Sequence, residues 1–209
     1  MIEFIAKNQH GESMKNIVMA TCLTTCLGFS LPAFSDDGAA LYTSRGCIGC
    51  HGAGGNAPIA PNYPKIGMQN KEYTVNQLTD FKNNKRSNGL AALMVGMVAA
   101  LTEEDIRKLA EHLSTNTQSS ASGPVLADGA DLYVEKNCIA CHGANGSKPV
   151  MNAYPRIGGQ SEMYLLAQMK DIKTGARNNS HTLAMKNVMG NVSDSEMATI
   201  AGWLSKQSQ

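Results

Sequence analysis

Two stretches of the chain space their apolar residues as a helix would. In KEYTVNQLTDFKNN these are Tyr73, Leu78 and Phe81; in SEMYLLAQMKDIKTG they are Tyr164, Leu165, Met169 and Ile172. That spacing predicts helices half-buried against a core. Two later stretches, LTEEDIRKLAEHL and VSDSEMATIAGWL, open with Thr102 or Ser193 at an N-cap position and acidic residues in the first turn, the signature of a capped helix. Shorter helices are expected to run into Cys47 and Cys138, capped by Asp37 and Asp128. The segments between, GGNAPIAPNYPKIG and NGSKPVMNAYPRIG, are dense in Gly, Pro and Asn and read as shaped loops. Strand signals are poor throughout, so the fold class is all-α.

These elements come in pairs. A shift of 91 residues superposes the chain on itself: Cys47, Cys50 and His51 fall on Cys138, Cys141 and His142, and Tyr63-Pro64 on Tyr154-Pro155. The register continues through Pro58/Pro149, Gln69/Gln160, Tyr73/Tyr164, Gln77/Gln168, Asp80/Asp171 and Arg86/Arg177. One module is therefore duplicated in tandem, at 36–113 and 128–209. Between them lies STNTQSSASGPVLA, 114–127, a polar Ser/Gly/Pro linker. Two repeats are too few for a solenoid, so each is expected to fold around its own core.

Residues 1–35 read as an N-terminal extension followed by an export signal. Lys15 supplies the positive region, an apolar run extends from Ile17 to Leu31, and Ala33-Phe34-Ser35 offers a small-x-small cleavage site. The competing reading is a retained anchor, but the run is short for a bilayer span. Beyond residue 35 there are 16 Lys/Arg against 15 Asp/Glu, the basic residues evenly divided between the halves. That balance gives no support for nucleic-acid binding and predicts no strong steering by net charge. Aromatic residues are only 5% of the chain, so two small modules would have thin cores that a large apolar cofactor would help fill.

The cysteines supply the chemistry. GCIGCHG and NCIACHG each put two thiols and a histidine within five residues. Cys-x-x-Cys-His is the attachment signature for haem c: Cys47 and Cys50, like Cys138 and Cys141, can each bond the porphyrin edge, and His51 or His142 can reach the iron. A redox dithiol needs no histidine there, and one zinc shared by four thiolates would leave both histidines without a role. For the second iron ligand, Met94 and Met185 are the only methionines that meet under the shift, each 43 residues after its histidine. A thioether suits the soft iron and raises its potential relative to a second histidine. The rivals are Met97 and Met189. A ligating histidine usually donates its other N–H to a fixed carbonyl, and Pro58 and Pro149 are candidates to hold one. Tyr63, Tyr154, Arg86, Arg177, Gln69 and Gln160 are candidates to bond haem propionates or to line a module interface.

With these motifs on the page, the chain resembles the dihaem cytochrome c4 family, two class I cytochrome c modules in tandem. The resemblance rests on CIGCHG, NYPKIG and LMVGMVAALTEED in the first half, and on CIACHG, AYPRIGGQ and LAMKNVMGNVSDSE in the second. Two departures stand out. The family's Gly-Gln is Met68-Gln69 in module one, and its Met-x-Gly is Met185-Lys186-Asn187 in module two. The resemblance implies two covalently attached haem c groups and a periplasmic electron carrier, membrane-associated in some members. Its partners would be the cytochrome bc1 complex as donor and a terminal oxidase as acceptor, with outer-sphere transfer through two His/Met-ligated irons. Iron held on both sides has no open position for substrate, so the chain is expected not to be an enzyme. The alternatives are a cytochrome subunit of a larger dehydrogenase and a dihaem peroxidase.

Overall fold

The computed structural model describes residues 37–116 and 127–208, which are helical with no strand among them. The export-signal reading and most of the linker therefore lie outside the described residues. Module one contains α1 (Asp37–Ser44), α2 (Ile48–His51), α3 (Lys71–Lys82), α4 (Ala92–Val98) and α5 (Glu103–Thr115). Module two repeats the order as α6 (Ala127–Glu135), α7 (Ile139–His142), α8 (Glu162–Thr174), α9 (Thr182–Met189) and α10 (Asp194–Leu204). Among the described residues no helix is long and apolar enough to cross a membrane.

In each module the last helix packs against the first and third, and the third against the fourth. This leaves two cores. One is built on Tyr42, Phe81, Val98, Ile106, Leu109 and Leu113. The other is built on Tyr133, Leu165, Met169, Met197, Ile200 and Trp203. Helices α5 and α10 start as their sequences predict. The Thr102 hydroxyl accepts from the Asp105 N–H while Asp105 accepts from the Thr102 N–H, and Ser193 and Glu196 form the same reciprocal box. α1 begins at Asp37 itself; Asp128 does not cap but is second in α6, inside the first turn, where acidic residues complement the helix dipole.

The third helix of module two buries Leu165, Met169 and Ile172 as expected, whereas that of module one differs. Along α3 the buried positions include Thr74, Gln77 and Asp80 besides Phe81. Tyr73, Gln77 and Asp80 lie at helical spacing on one face, and that face is covered by module two rather than by module one's core.

Candidate functional site

Each CxxCH segment is a single helical turn. The His51 N–H donates to Cys47 O at 3.0 Å and the His142 N–H to Cys138 O at 3.0 Å. The residue after each histidine has to be glycine. Gly52 and Gly143 have φ of 73° and 79°, and a Cβ there would sit 1.9 Å from Ala57 O or 2.3 Å from Lys148 O. Tyr42 and Tyr133 donate their hydroxyls to the Gly52 and Gly143 carbonyls at 2.7 and 2.8 Å. A side chain of the first helix thereby locks the turn that carries the histidine.

The histidines are buried, and Nδ1 meets a carbonyl: His51 that of Pro64 at 2.9 Å, His142 that of Pro155 at 3.1 Å. A carbonyl only accepts, so Nδ1 carries the proton and Nε2 keeps its lone pair. Burial pushes both imidazoles below their ordinary pKa, with the proline carbonyl opposing, which keeps the rings neutral as ligands must be. The expectation that Pro58 and Pro149 supply this carbonyl is corrected. The Ile59 and Val150 N–H groups return to Cys50 O and Cys141 O. At Pro58 and Pro149 the chain therefore runs back along the cysteine turn and reaches the imidazole only at Pro64 and Pro155. Tyr-Pro was one of the pairs that match under the shift, so the signal was available.

A cavity of about 790 Å³ runs from one module to the other. Its walls include Leu78, Phe81 and Leu113 in module one and Leu165, Ile172 and Leu204 in module two. His51, Cys50 and Met94 line one end; His142, Cys138, Cys141 and Met185 line the other. A smaller cavity of about 60 Å³ continues past Cys47, Cys50 and Met94. The four thiols are free. Burial raises the Cys47 thiol and pushes Cys138 up to about 11, so neither is the thiolate that exchange chemistry needs. No three His, Cys, Asp or Glu groups converge on a metal site among the described residues, so the thiols do not assemble the shared zinc site. An apolar slot, thiols along one edge and a neutral imidazole with a free Nε2 together fit a haem c in each module.

The methionines sort by position. Met94 and Met185 line the cavity and pack partly buried against their cores. Met189 is fully buried in module two's core and lines neither cavity, whereas Met97 lines both but is 47% exposed. Tyr63 and Tyr154 also line the cavity, Tyr154 with its ring edge-on to His181 at 6.0 Å. Met68 and Gly159, which differ between the modules, both adopt left-handed backbone, φ 56° and 68°. Module one thus places methionine where glycine is favoured.

Arg86 and Arg177 belong to the module interface as well as to the cavity lining. Both are buried. Arg86 donates through Nη1 to Gln77 at 2.7 Å, and through Nη2 to Tyr164 and Gln168 at 3.0 and 2.8 Å. Arg177 mirrors it on Gln168, Tyr73 and Gln77 at 3.0, 3.0 and 3.2 Å. Burial raises the Tyr73 hydroxyl, but the two guanidiniums outweigh burial and leave its pKa below the ordinary value. Gln69 brackets the Arg156 backbone, donating to its carbonyl at 2.9 Å and accepting from its N–H at 2.8 Å. Gln160 does the same to Lys65 at 2.7 and 2.9 Å. Asn88 and Asn179 donate across the interface to Asp171 and Asp80 at 2.6 and 2.7 Å. This last pair was missed in the sequence, although the shift superposes it.

Comparison with known proteins agrees with this geometry. The Cytochrome c family model matches residues 35–117 and 126–208. The chain is 28% identical to a cytochrome c4 of Pseudomonas aeruginosa, covering 91% of this chain and 98% of that one. It is 32% identical to a thiosulfate dehydrogenase electron acceptor of Thiomonas intermedia, covering 91% and 90%. The crystal structure of reduced recombinant cytochrome c4 from Pseudomonas stutzeri superposes with a TM-score of 0.72 at 26% identity, covering 82% of this chain and 97% of that one.

Proposed function

The chain belongs to the cytochrome c family, as two tandem modules of the dihaem cytochrome c4 kind carrying covalently attached haem c, and from that premise we propose that it relays electrons in the periplasm from a quinol-oxidising complex toward a terminal oxidase, without being an enzyme itself. The observation that carries the reading is the matched set at the two ends of one cavity: two thiols, a neutral histidine and a methionine each time. In this reading Cys47 and Cys50 hold one group and Cys138 and Cys141 the other, while His51 with Met94 and His142 with Met185 ligate iron. Haem c supplies a reversible one-electron iron couple, exchanged by outer-sphere transfer. The chain's residues do the rest. The Pro64 and Pro155 carbonyls hold the Nδ1 protons and orient the rings, and the apolar walls exclude water. Arg86, Arg177, Tyr63 and Tyr154 line the cavity and would be the residues to bond the haem's carboxylates.

A second donor has its own support, because the Thiomonas relative is named for accepting electrons from thiosulfate dehydrogenase. Such a dehydrogenase would load the same two modules.

Spectroelectrochemical titration of the holoprotein tests the ligand set. Two positive-potential irons, each with the weak long-wavelength absorbance of ferric iron bound by methionine sulfur, are expected. Met94→Ala removes that band from one iron only and opens it to carbon monoxide; an unchanged band would move the ligand elsewhere. Reduction rates against a quinol-oxidising complex and against thiosulfate with its dehydrogenase then separate the two donors.

A further inference from the structure

The shift that superposes the modules also isolates the cavity positions where they differ. One is Met97, whose counterpart is Val188. Met97 stands three residues after Met94 on α4, so the two thioethers share a helix face. It lines both cavities. Its methyl carbon would lie 3.8 Å from a Cβ added at Gly46, the residue before Cys47, so Met97 covers the turn that leads into the attachment site. Module two has Asn137 in place of that glycine. Exposure separates Met97 from the other methionines beyond residue 35. Met169, Met189 and Met197 are buried, and Met68, Met94 and Met185 are half-buried. Met151 and Met163 are 49% and 56% exposed but line neither cavity. Among the described residues only Met97, at 47%, is both open to solvent and part of the cavity wall.

We infer that Met97 is an oxidation site through which hydrogen peroxide lowers the reduction potential of module one and leaves module two unchanged. The Met97 sulfur attacks one peroxide oxygen with a lone pair. An S–O bond forms as the O–O bond breaks, sulfur gives up two electrons, and the second oxygen leaves as water with both protons. The product is methionine sulfoxide, which turns a flexible apolar side chain into a polar one and is reversed by reductases. On the cavity wall that change puts a strong dipole and its water beside the iron slot. Ferric iron carries one more positive charge than ferrous, and a more polar surround favours the more charged state, so the potential falls. Val188 offers no sulfur at the matching place, so the second iron keeps its potential and electrons redistribute toward module two. The inference rests on the electron-carrier reading in one respect, that the iron of module one is held by Met94 and not by Met97.

The test treats the ferric holoprotein with hydrogen peroxide, maps oxygen uptake by peptide mass spectrometry and titrates both irons before and after. One added oxygen is expected on each of Met97, Met151 and Met163. One of the two redox waves should move to lower potential while the other stays, with the haem absorbance intact. The two methionine sulfoxide reductases, one for each epimer, should return that wave to its starting value. Met97→Leu should hold both waves through the same treatment although Met151 and Met163 still take up oxygen. Met97→Gln, which carries a polar oxygen without any oxidant, should show the lowered wave untreated. A Met97 that gains no oxygen would overturn the inference, as would a Met97 sulfoxide with both waves unmoved. A Met97→Leu protein that lacks the methionine–iron band at one haem would make Met97 the ligand, and that result overturns the ligand assignment as well.

Discussion

At the residue scale the site depends on backbone geometry that a few side chains enforce. Gly52 shows this most directly, since any Cβ overlaps the Ala57 carbonyl at 1.9 Å on a left-handed backbone. Gly52→Ala should destabilise module one by at least about 3 kcal/mol. Gly49→Ala, three residues earlier with nothing within 4 Å of the added carbon, should change stability by less than about 0.5 kcal/mol. Thermal unfolding of the two holoproteins compares them, and equal midpoints would contradict the collision. At this scale the Cys-x-x-Cys-His-Gly signature was legible because covalent attachment and the following turn are both local. The partner of the imidazole was not. It lies 13 residues on, and only the folded loop decides which proline arrives.

At the element scale the α10 capping box joins sequence, stability and pH. The Ser193 backbone N–H, followed by the Lys136 ammonium and then the Ser193 hydroxyl, holds the Glu196 carboxyl down at about 2, from an ordinary 4.5. A carboxyl depressed on folding stabilises the folded state above its unfolded value, and the contribution fades as pH falls from about 4.5 through 2. Glu196→Gln should therefore flatten the acid limb of stability in that window, followed by circular dichroism against pH. Ser193→Ala should cost about 1 kcal/mol at neutral pH. Both helix starts could be read from sequence because a cap is closed within four residues. The polar stripe of α3 could not. Periodicity marks a face as different, but it does not say whether water or another module covers it.

At the scale of the whole molecule, two cores and the larger cavity meet at an interface made of polar side chains. Arg177 is 6% exposed and bonds two residues of each module. Arg177→Ala should take this donor from Asn179 Oδ1 and the Tyr73 hydroxyl, while Gln77 and Gln168 keep Arg86, and cost about 3 kcal/mol. Arg177→Lys should recover little, because an ammonium cannot reproduce the planar fork. Calorimetry reads the consequence: wild-type modules should unfold together, whereas the Ala variant should resolve into two transitions. A single unchanged transition would show that the network does not couple them.

By itself the sequence determined the tandem duplication and the helical class, and it singled out the cysteines, Met94 and Met185 as candidates over their neighbours, because each of these is local or is repeated at a fixed offset. Only the tertiary structure decided what the other repeated residues do. Gln69, Tyr73, Gln77, Asp80 and Arg86 recur as faithfully as the cysteines, and identity under a shift cannot tell a residue kept for the cofactor from one kept for its own counterpart. That distinction needs the two modules face to face, because a hydrogen bond between residues about ninety positions apart has no local trace in the chain.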